Sequence, residues 1–324
     1  MYDNIDFRLR NTDVSDIDFL SETTRYLDIV TGKHDFRGEP VISGILGNTL
    51  NDNYFKVTIS NRSVNIKDGS LCKYYLGDNF KTLGRSDVKR AVEKLSDTLH
   101  LPIEDASITR LDIAQNFMVS NPVGVYYNHL GNMKSGKRSE MATIGGIEGL
   151  YYFKSLYMSV FYNKVKEQRD KRQPIPELYQ NRNILRYEQR YYNKNILKSF
   201  NTERVTASTL YDEKFYINAV NKWRDNYFSI KKINDITLNF EAMKGKKDLH
   251  NMGVLALVEM QGGELNFISR IQEAYKSGKL SKKQAFDMRR EVITACKIKD
   301  GITVKNDAIS ELDKKVNEAV KFYR

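Results

Sequence analysis

Three short runs constrain the fold more than anything else in the sequence: Thr109-Arg110-Leu111-Asp112-Ile113, Val160-Phe161-Tyr162-Asn163-Lys164 and Leu185-Arg186-Tyr187-Glu188-Gln189-Arg190. Each alternates with the period of a β-strand, in which side chains two residues apart share a face. Arg110 and Asp112 then share a face, as do Tyr162 and Lys164, and as do Arg186, Glu188 and Arg190. If the strands are neighbours, one sheet face gathers two carboxylates, a tyrosine and several cations. Two carboxylates can hold a divalent metal through oxygen ligands. A metal beside a tyrosine hydroxyl, ringed by cations, suits phosphodiester chemistry.

The charge balance agrees with that reading. Lys and Arg number 52 against 41 acidic residues in 324, a net charge of +11, which favours a polyanionic partner. Cys72 and Cys296 are the only cysteines, so there is no disulfide framework and a reducing compartment is expected. The start, MYDNIDFRLR, is charged and lacks the apolar core of a signal peptide. No run approaches about 18 uncharged apolar residues. These features predict a soluble, cytoplasmic protein with no membrane partner. Other chemistries lack their residues. His34, His100, His129 and His250 are scattered, no His-x-His or HExxH pattern occurs, and no Walker-type phosphate loop is present. Gly145-Gly146 and Gly262-Gly263 are turn signals.

Alternation over Asn4–Arg10, Tyr54–Ser60 and Val64–Lys67 predicts strands, the last followed by a turn at Asp68-Gly69. Ser86 reads as the N-cap of a helix carrying Val88, Ala91, Val92, Leu95 and Leu99, ended by Pro102. The Asp112 strand follows, then a short helix through Tyr126-Tyr127. Residues 131–149, rich in glycine and holding Lys134, Lys137 and Arg138, read as a mobile basic loop. Strands at Leu150–Phe153 and Ser159–Asn163 precede a basic segment, Lys164–Arg172, broken by Pro174 and Pro176. The Glu188 strand begins near Asn183. Each half closes on an Arg-x-acid strand, the pattern of a duplicated strand-strand-helix-strand unit. From Val205 the chain turns helical, with Phe215, Tyr216, Ala219, Val220, Trp223 and Tyr227 as a buried aromatic seam. Beyond it lie a short strand at Ile236–Phe240 and three helices, with Ser281/Gln284 as a capping box and Asn306 as the last cap. The expected fold is α+β, a mostly antiparallel sheet with packed helices. Residues 1–235 form the catalytic domain and 236–324 a helical C-terminal region.

Each site residue has a competing reading. Asp112 has apolar neighbours on both faces, so burial demands a partner, either a metal or a salt bridge with Arg110. Glu188 is a second ligand or part of a solvated edge strand. Tyr162 is the candidate nucleophile, with Lys164 favouring its phenolate against an ordinary pKa near 10. Tyr151, Tyr152, Tyr191 and Tyr192 are its rivals.

The chain resembles phage and plasmid replication initiators of the gene II/gene X type, especially forms carried by Bacteroidetes phages and plasmids. The resemblance rests on the runs Gly69–Phe80, Ala91–Ser96, Thr109–Asn116, Phe161–Glu167 and Leu185–Glu188, which span the chain to about residue 235. A more distant similarity is to Rep-trans initiators and transfer relaxases, which share an Arg-x-Asp strand, a Tyr-Asp/Asn-Lys segment and an Arg-x-Glu strand in that order. The resemblance implies rolling-circle replication, in which a tyrosine nicks one strand at an origin, stays on the 5′ phosphate and frees a 3′ hydroxyl. The chain lacks the His-hydrophobe-His metal motif of many such nickases. Asp112 and Glu188 would then hold Mg²⁺ or Mn²⁺, with Tyr162 and Lys164 catalytic. Arg110, Arg186, Arg190, Lys134, Lys137, Arg138, Lys166, Arg169, Lys171 and Arg172 would contact DNA. Expected partners are single-stranded or cruciform origin DNA, a host helicase and a polymerase. The alternatives are a transfer relaxase and a non-catalytic origin-binding protein.

Overall fold

Ile5, Phe7 and Leu9 are buried while Asp6 and Arg8 between them are half-buried, so the first alternating run folds as strand β1 (Tyr2–Arg10). The same rule builds the rest of the sheet in this computed structural model, which describes residues 1–12, 27–34, 38, 40–50, 53–233, 235–236, 244–297, 303–304 and 306–323. The further strands are β2 (Asp28–His34), β3 (Pro40–Asn48), β4 (Asn53–Ser60), β5 (Ser63–Lys67), β6 (Ser107–Val119), β7 (Leu130–Met133), β8 (Lys137–Thr143), β9 (Gly146–Phe153), β10 (Met158–Asn163) and β11 (Asn183–Tyr192). Ten of them form one antiparallel sheet in the order β2-β3-β4-β5-β1-β6-β11-β10-β9-β8. The two Arg-x-acid strands, β6 and β11, are therefore adjacent at its centre, with β1 and β10 flanking them.

One face of the sheet is apolar and packs on helices, chiefly the long one at Glu213–Phe228. α1 (Leu71–Leu76) and α2 (Arg85–Leu99) follow β5, and α3 (Val123–His129) follows β6. α4 (Lys164–Asp170) and α5 (Lys194–Phe200) flank β11, and α6 (Glu213–Phe228) follows. Leu111, Ile113 and Phe117 of β6, Tyr187 and Tyr191 of β11, and Phe161 of β10 pack with Tyr216, Val220, Trp223 and Tyr227 of α6 in one core. Tyr187 stacks on Phe161 at 4.5 Å between ring centroids and lies 5.0 Å from Trp223. Each fully buried side chain of this size contributes about 1.5–3 kcal/mol. The α6 stripe is the buried seam that its spacing predicts.

The described C-terminal residues include four helices, one more than the sequence reading counts: α7 (Lys246–Met260), α8 (Glu264–Lys276), α9 (Lys282–Lys297) and α10 (Asp307–Tyr323). Val258, Ile271, Ala285 and Val292 give α7–α9 a core of their own. The capping box of α9 forms, with Ser281 N donating to Gln284 Oε1 at 2.8 Å and Gln284 N to Ser281 Oγ at 3.2 Å. Asn306 Oδ1 caps α10, accepting from Ala308 N at 2.9 Å. The stripe Ile309, Leu312, Val316 and Val320 packs α10 into the large core, and Tyr227 donates to Asp313 at 2.6 Å.

The structure departs from the sequence reading at several points. Residues 131–149 are not a loop but β7, β8 and the start of β9. Ile144 and Gly145 make the β8–β9 hairpin turn, and Gly146, at φ +114°, closes it as the first residue of β9. Two strands, β2 and β3, have no counterpart in the sequence reading. Helix α2 is capped at Gly84 rather than Ser86, because Asp87 Oδ2 accepts from Gly84 N at 3.0 Å. Strand β12 (Ile230–Lys232) pairs with β7. The expected strand at Ile236–Phe240 shows only as β13 (Asp235–Ile236), which pairs with β14 (Thr303–Val304); residues 237–240 lie outside the described part. Among the described residues no helix is long and apolar enough to cross a membrane.

Candidate active-site cleft

Directly opposite residues in a sheet share a face, so the register across the central strands defines rows. One row runs Lys137, Phe153, Met158, Arg190, Asp112. The next runs Ser139, Tyr151, Val160, Glu188, Ala114, and the third Met141, Gly149, Tyr162, Arg186, Asn116. Asp112, Glu188 and Tyr162 thus stand on the same face, opposite the one that packs on α6, as the alternation predicts. A cleft of about 430 Å³ opens over Tyr162 and Glu188, lined also by Arg110, Arg190, Lys164 and Asp3 among others.

Both carboxylates are buried, Asp112 fully and Glu188 all but 1 %. Glu188 is on a central strand, not a solvated edge, which removes that competing reading. Arg110 Nη2 donates to Asp112 Oδ2 at 2.6 Å and its Nε reaches both carboxylate oxygens at 3.1 Å. Asn4 Nδ2 adds a further donor to Asp112 Oδ2 at 3.1 Å. Arg190 Nη2 donates to Glu188 Oε2 at 2.9 Å. Burial, and then the nearby Glu188 charge, push the Asp112 carboxyl up to about 7 against the pull of Arg110. Each carboxylate of the pair already has a guanidinium partner, so burial more than the neighbouring charge raises Asp112. Among the described residues no group of three acidic, histidine or cysteine side chains assembles around it. Two carboxylates fit Mg²⁺, which completes its shell with water and substrate phosphate rather than with a full protein cage.

Arg186 occupies a different environment from its neighbours in sequence. It is 1 % exposed and ion-pairs with Asp3, a residue the sequence reading does not single out. Its Nη1 donates to Asn116 Oδ1 at 3.0 Å. Asp3 also accepts from Ser70 Oγ and from Asn79 Nδ2 at 3.3 Å. Burial works to raise the Asp3 carboxyl, but Arg186, with Ser70, Lys164 and Asn79, holds it below the ordinary value. Ser70 at the same time caps α1 by accepting from Lys73 N at 3.1 Å. Gly69 precedes it where any Cβ would fall 2.2 Å from the Phe55 ring. The run Gly69–Phe80 therefore forms a wall of the cleft, tied down by Asp3, Asn116 and Arg186. Arg186 is a buried structural cation in this arrangement and is not placed to contact DNA.

Tyr162 lies across from Gly149, where a Cβ would approach Phe161 O to 3.0 Å and Tyr162 Cβ to 3.7 Å. Burial, and then Glu188, raise its phenol well above the ordinary value of 10. This is opposite to the expected direction, because burial dominates; Lys164 lies outside the strand. Strand β10 stops at Asn163, whose Oδ1 accepts from Lys166 N at 3.0 Å and caps α4. Lys164 becomes the first residue of that helix. It is 1 % exposed and donates to Glu167 Oε2 at 2.8 Å. Burial, with Arg186 second, lowers the Lys164 ammonium to about 8 against the pull of Glu167. Of the rival tyrosines, Tyr152 and Tyr191 point into the helical core and are buried. Tyr152 donates to Leu130 O at 2.9 Å and Tyr191 to Gln189 Oε1 at 2.6 Å. Tyr151 and Tyr192 share the cleft face, and the Arg110 guanidinium stands 5.6 Å over the Tyr192 ring.

The basic residues divide in the same way. Lys134 is exposed in the β7–β8 turn, and Lys137 is exposed on the cleft face of β8. Arg138 is opposite Tyr152, on the helix-packed side, where its guanidinium ties Leu130 O at 3.0 Å and pairs with Glu140. Its expected DNA contact gives way to that structural role, because one residue of strand phase separates it from Lys137. Lys166 and Lys171 line the cleft, paired with Glu148 and Asp170 and with Glu167 respectively. Arg169 donates to Gln180 O at 2.9 Å away from the cleft, and Arg172 is exposed just past α4. Cleft residues to which the sequence reading gives no role include Asp3, Asn4, Ser70, Asn79 and Glu167. Of these, only Asn4 and Ser70 carry a local signal, as polar residues at the start of a strand and of a helix.

No curated protein matches the chain. A family model for the N-terminal part of a phage replication-associated protein, the gene II protein, matches residues 1–226. That span contains every strand of the large sheet and every residue lining the cleft. On that match the chain belongs to the phage family of replication-associated gene II proteins.

Proposed function

We propose that this replication-associated protein is a rolling-circle initiator that nicks one strand of origin DNA through Tyr162. The observation carrying this reading is one sheet face that brings Tyr162, Glu188, Arg110 and Arg190 together in an open cleft, with Asp112 buried beneath Arg110 on the same face. The Tyr162 oxygen attacks the scissile phosphorus, the 3′ oxygen leaves, and the 5′ phosphate stays on the tyrosine. The phenol proton passes to solvent water as the oxygen attacks, which leaves Glu188, diagonal to Tyr162 on the neighbouring strand, ionised as a ligand. Arg110 and Arg190, each partly exposed at the cleft rim, turn their free donors to the phosphate oxygens. Asp112 and Glu188 would hold Mg²⁺ or Mn²⁺, which when bound supplies charge neutralisation at the phosphate. Lys164 holds Glu167 and the start of α4 in place, so that Lys166 and Lys171 face the DNA. The freed 3′ hydroxyl would be extended by a host polymerase behind a host helicase.

The test is incubation of supercoiled origin DNA with Mn²⁺ and either the native protein or Tyr162→Phe. The native protein forms a covalent adduct that survives denaturation, and the variant forms none. Undiminished nicking by Tyr162→Phe transfers the role to Tyr151 or Tyr192, the tyrosines left on this face. Absence of any adduct from the native protein favours the non-catalytic origin binder. A transfer relaxase would share the chemistry and differ in the DNA it acts on.

A further inference from the structure

The cleft does not end at Tyr162. On the same face, β9 continues outward with Tyr151 and then Phe153, whose rings lie parallel within 10° and 6.0 Å apart between centroids. Phe153 is 45 % exposed and Met141 beside this strip is 41 % exposed, although both sit on an ordered part of the sheet. Aromatic rings are normally buried, and the opposite face of these strands buries Leu150, Tyr152 and Phe161 completely. Strand β9 therefore leaves one exposed ring, Phe153, parallel to a half-buried one, Tyr151, beside the proposed nucleophile. Cations bracket them in register. Arg190 stands two strands inward from Phe153 in its row, Lys137 lies directly opposite Phe153 on the outer strand, and Lys134 follows in the adjoining turn.

We infer that Tyr151 and Phe153 form a stacking platform for the bases of a single DNA strand, whose backbone runs from the cleft across β9 toward Lys137 and Lys134. This rests on the nicking reading for its direction, since the strand is the one held at Tyr162. Exposed rings flanked by cations match single-stranded nucleic acid, which offers π-faces and phosphates together. In a duplex the bases are stacked on one another and their faces are closed to side chains. A protein partner of ordinary interface size would need a far larger apolar area than two rings and a methionine. The platform thus accounts for how an initiator of this design keeps hold of an unpaired strand next to its nucleophile.

The experiment measures binding of labelled oligothymidylate and of a duplex of equal length to the full chain, without divalent metal, over a range of salt. Tyr151→Ala and Phe153→Ala should each weaken oligothymidylate binding roughly tenfold, with duplex binding and the salt slope unchanged. Tyr151→Phe and Phe153→Trp, which keep a ring, should bind as the native protein does. Lys137→Ala should instead lower the single-strand salt slope by about 0.7, one phosphate contact. The inference is overturned if the double alanine variant, with a native thermal transition, binds oligothymidylate as well as the native chain. Equal losses on duplex and single strand overturn it too. The two readings fail separately. A nicking-competent Tyr162→Phe removes the mechanism and leaves the platform, whereas unchanged binding by the double alanine variant removes the platform alone.

Discussion

The buried Arg186 separates two roles that its sequence position leaves open, and replacing it tells them apart. Arg186→Met keeps the length and apolar stem of the side chain and deletes the charge. In the native protein the guanidinium pairs with Asp3 and donates to Asn116 at 3.0 Å, at 1 % exposure. Removing one partner of a buried ion pair costs about 3–5 kcal/mol, because the other charge is stranded. Here Ser70 and Asn79 remain on Asp3, so the lower part of that range, about 3 kcal/mol, is expected. For a chain of this size that lowers the melting temperature by on the order of 6 °C. Asp3→Asn in the same background removes the stranded carboxylate and should restore about half of the loss. Thermal unfolding followed by circular dichroism reads both, and salt-dependent DNA binding is measured below the transition. A structural Arg186 leaves the salt slope unchanged. The reasoning is refuted if Arg186→Met unfolds with the native protein while its salt slope falls, the behaviour of a phosphate contact.

Three further outcomes follow from the same geometry. Asp112 is an acid whose folded value, about 7, exceeds its ordinary 3.8, so the folded chain holds that proton longer than the unfolded one. Its contribution is favourable at low pH and is lost as pH climbs from about 4 to about 7; the melting-temperature difference between native protein and Asp112→Asn should shrink or reverse over that window. Mg²⁺ or Mn²⁺ should raise the melting temperature of the DNA-free protein more at about pH 8 than at about pH 5, and Asp112→Asn or Glu188→Gln should abolish the rise; equal stabilisation of all three removes the carboxylates as ligands. Arg138→Ala should lower the melting temperature while leaving the DNA salt slope intact, the converse of Lys137→Ala, and equal slopes lost from both would contradict the strand phase of β8.

The alternation of Thr109–Ile113, Phe161–Asn163 and Leu185–Arg190 is enough to place Asp112, Glu188 and Tyr162 on one face, because strand phase is a local property that three or four residues fix. Spacing likewise identifies the α6 seam. What alternation misses depends on partners far off in sequence or on where an element ends. Asp3 meets Arg186 because a register irregularity between Tyr2 and Ile5 turns the start of β1 toward β11, which no local pattern encodes. Lys164 leaves the strand because Asn163 caps a helix one residue earlier than alternation alone would stop. The signal is present, since Asn-Lys-Val-Lys-Glu opens as a capped helix does. Glycines at 131, 136, 145 and 146 read as a loop, yet only Gly146 needs a left-handed backbone among these, and the strand between them pairs normally.

The placement of β1 between β5 and β6, and of β6 against β11, has a consequence for how activity arises during synthesis. The strand of this sheet that leaves the ribosome first is bordered on both sides by strands made later, and the carboxylate on β6 gains its partner only when residue 188 has emerged. Such non-local pairing makes folding slow and leaves nothing resembling the cleft in a partial chain. A cleft lined by residues from Asp3 to Arg190 does not exist until nearly two hundred residues have been made, so the site is silent through most of its own synthesis.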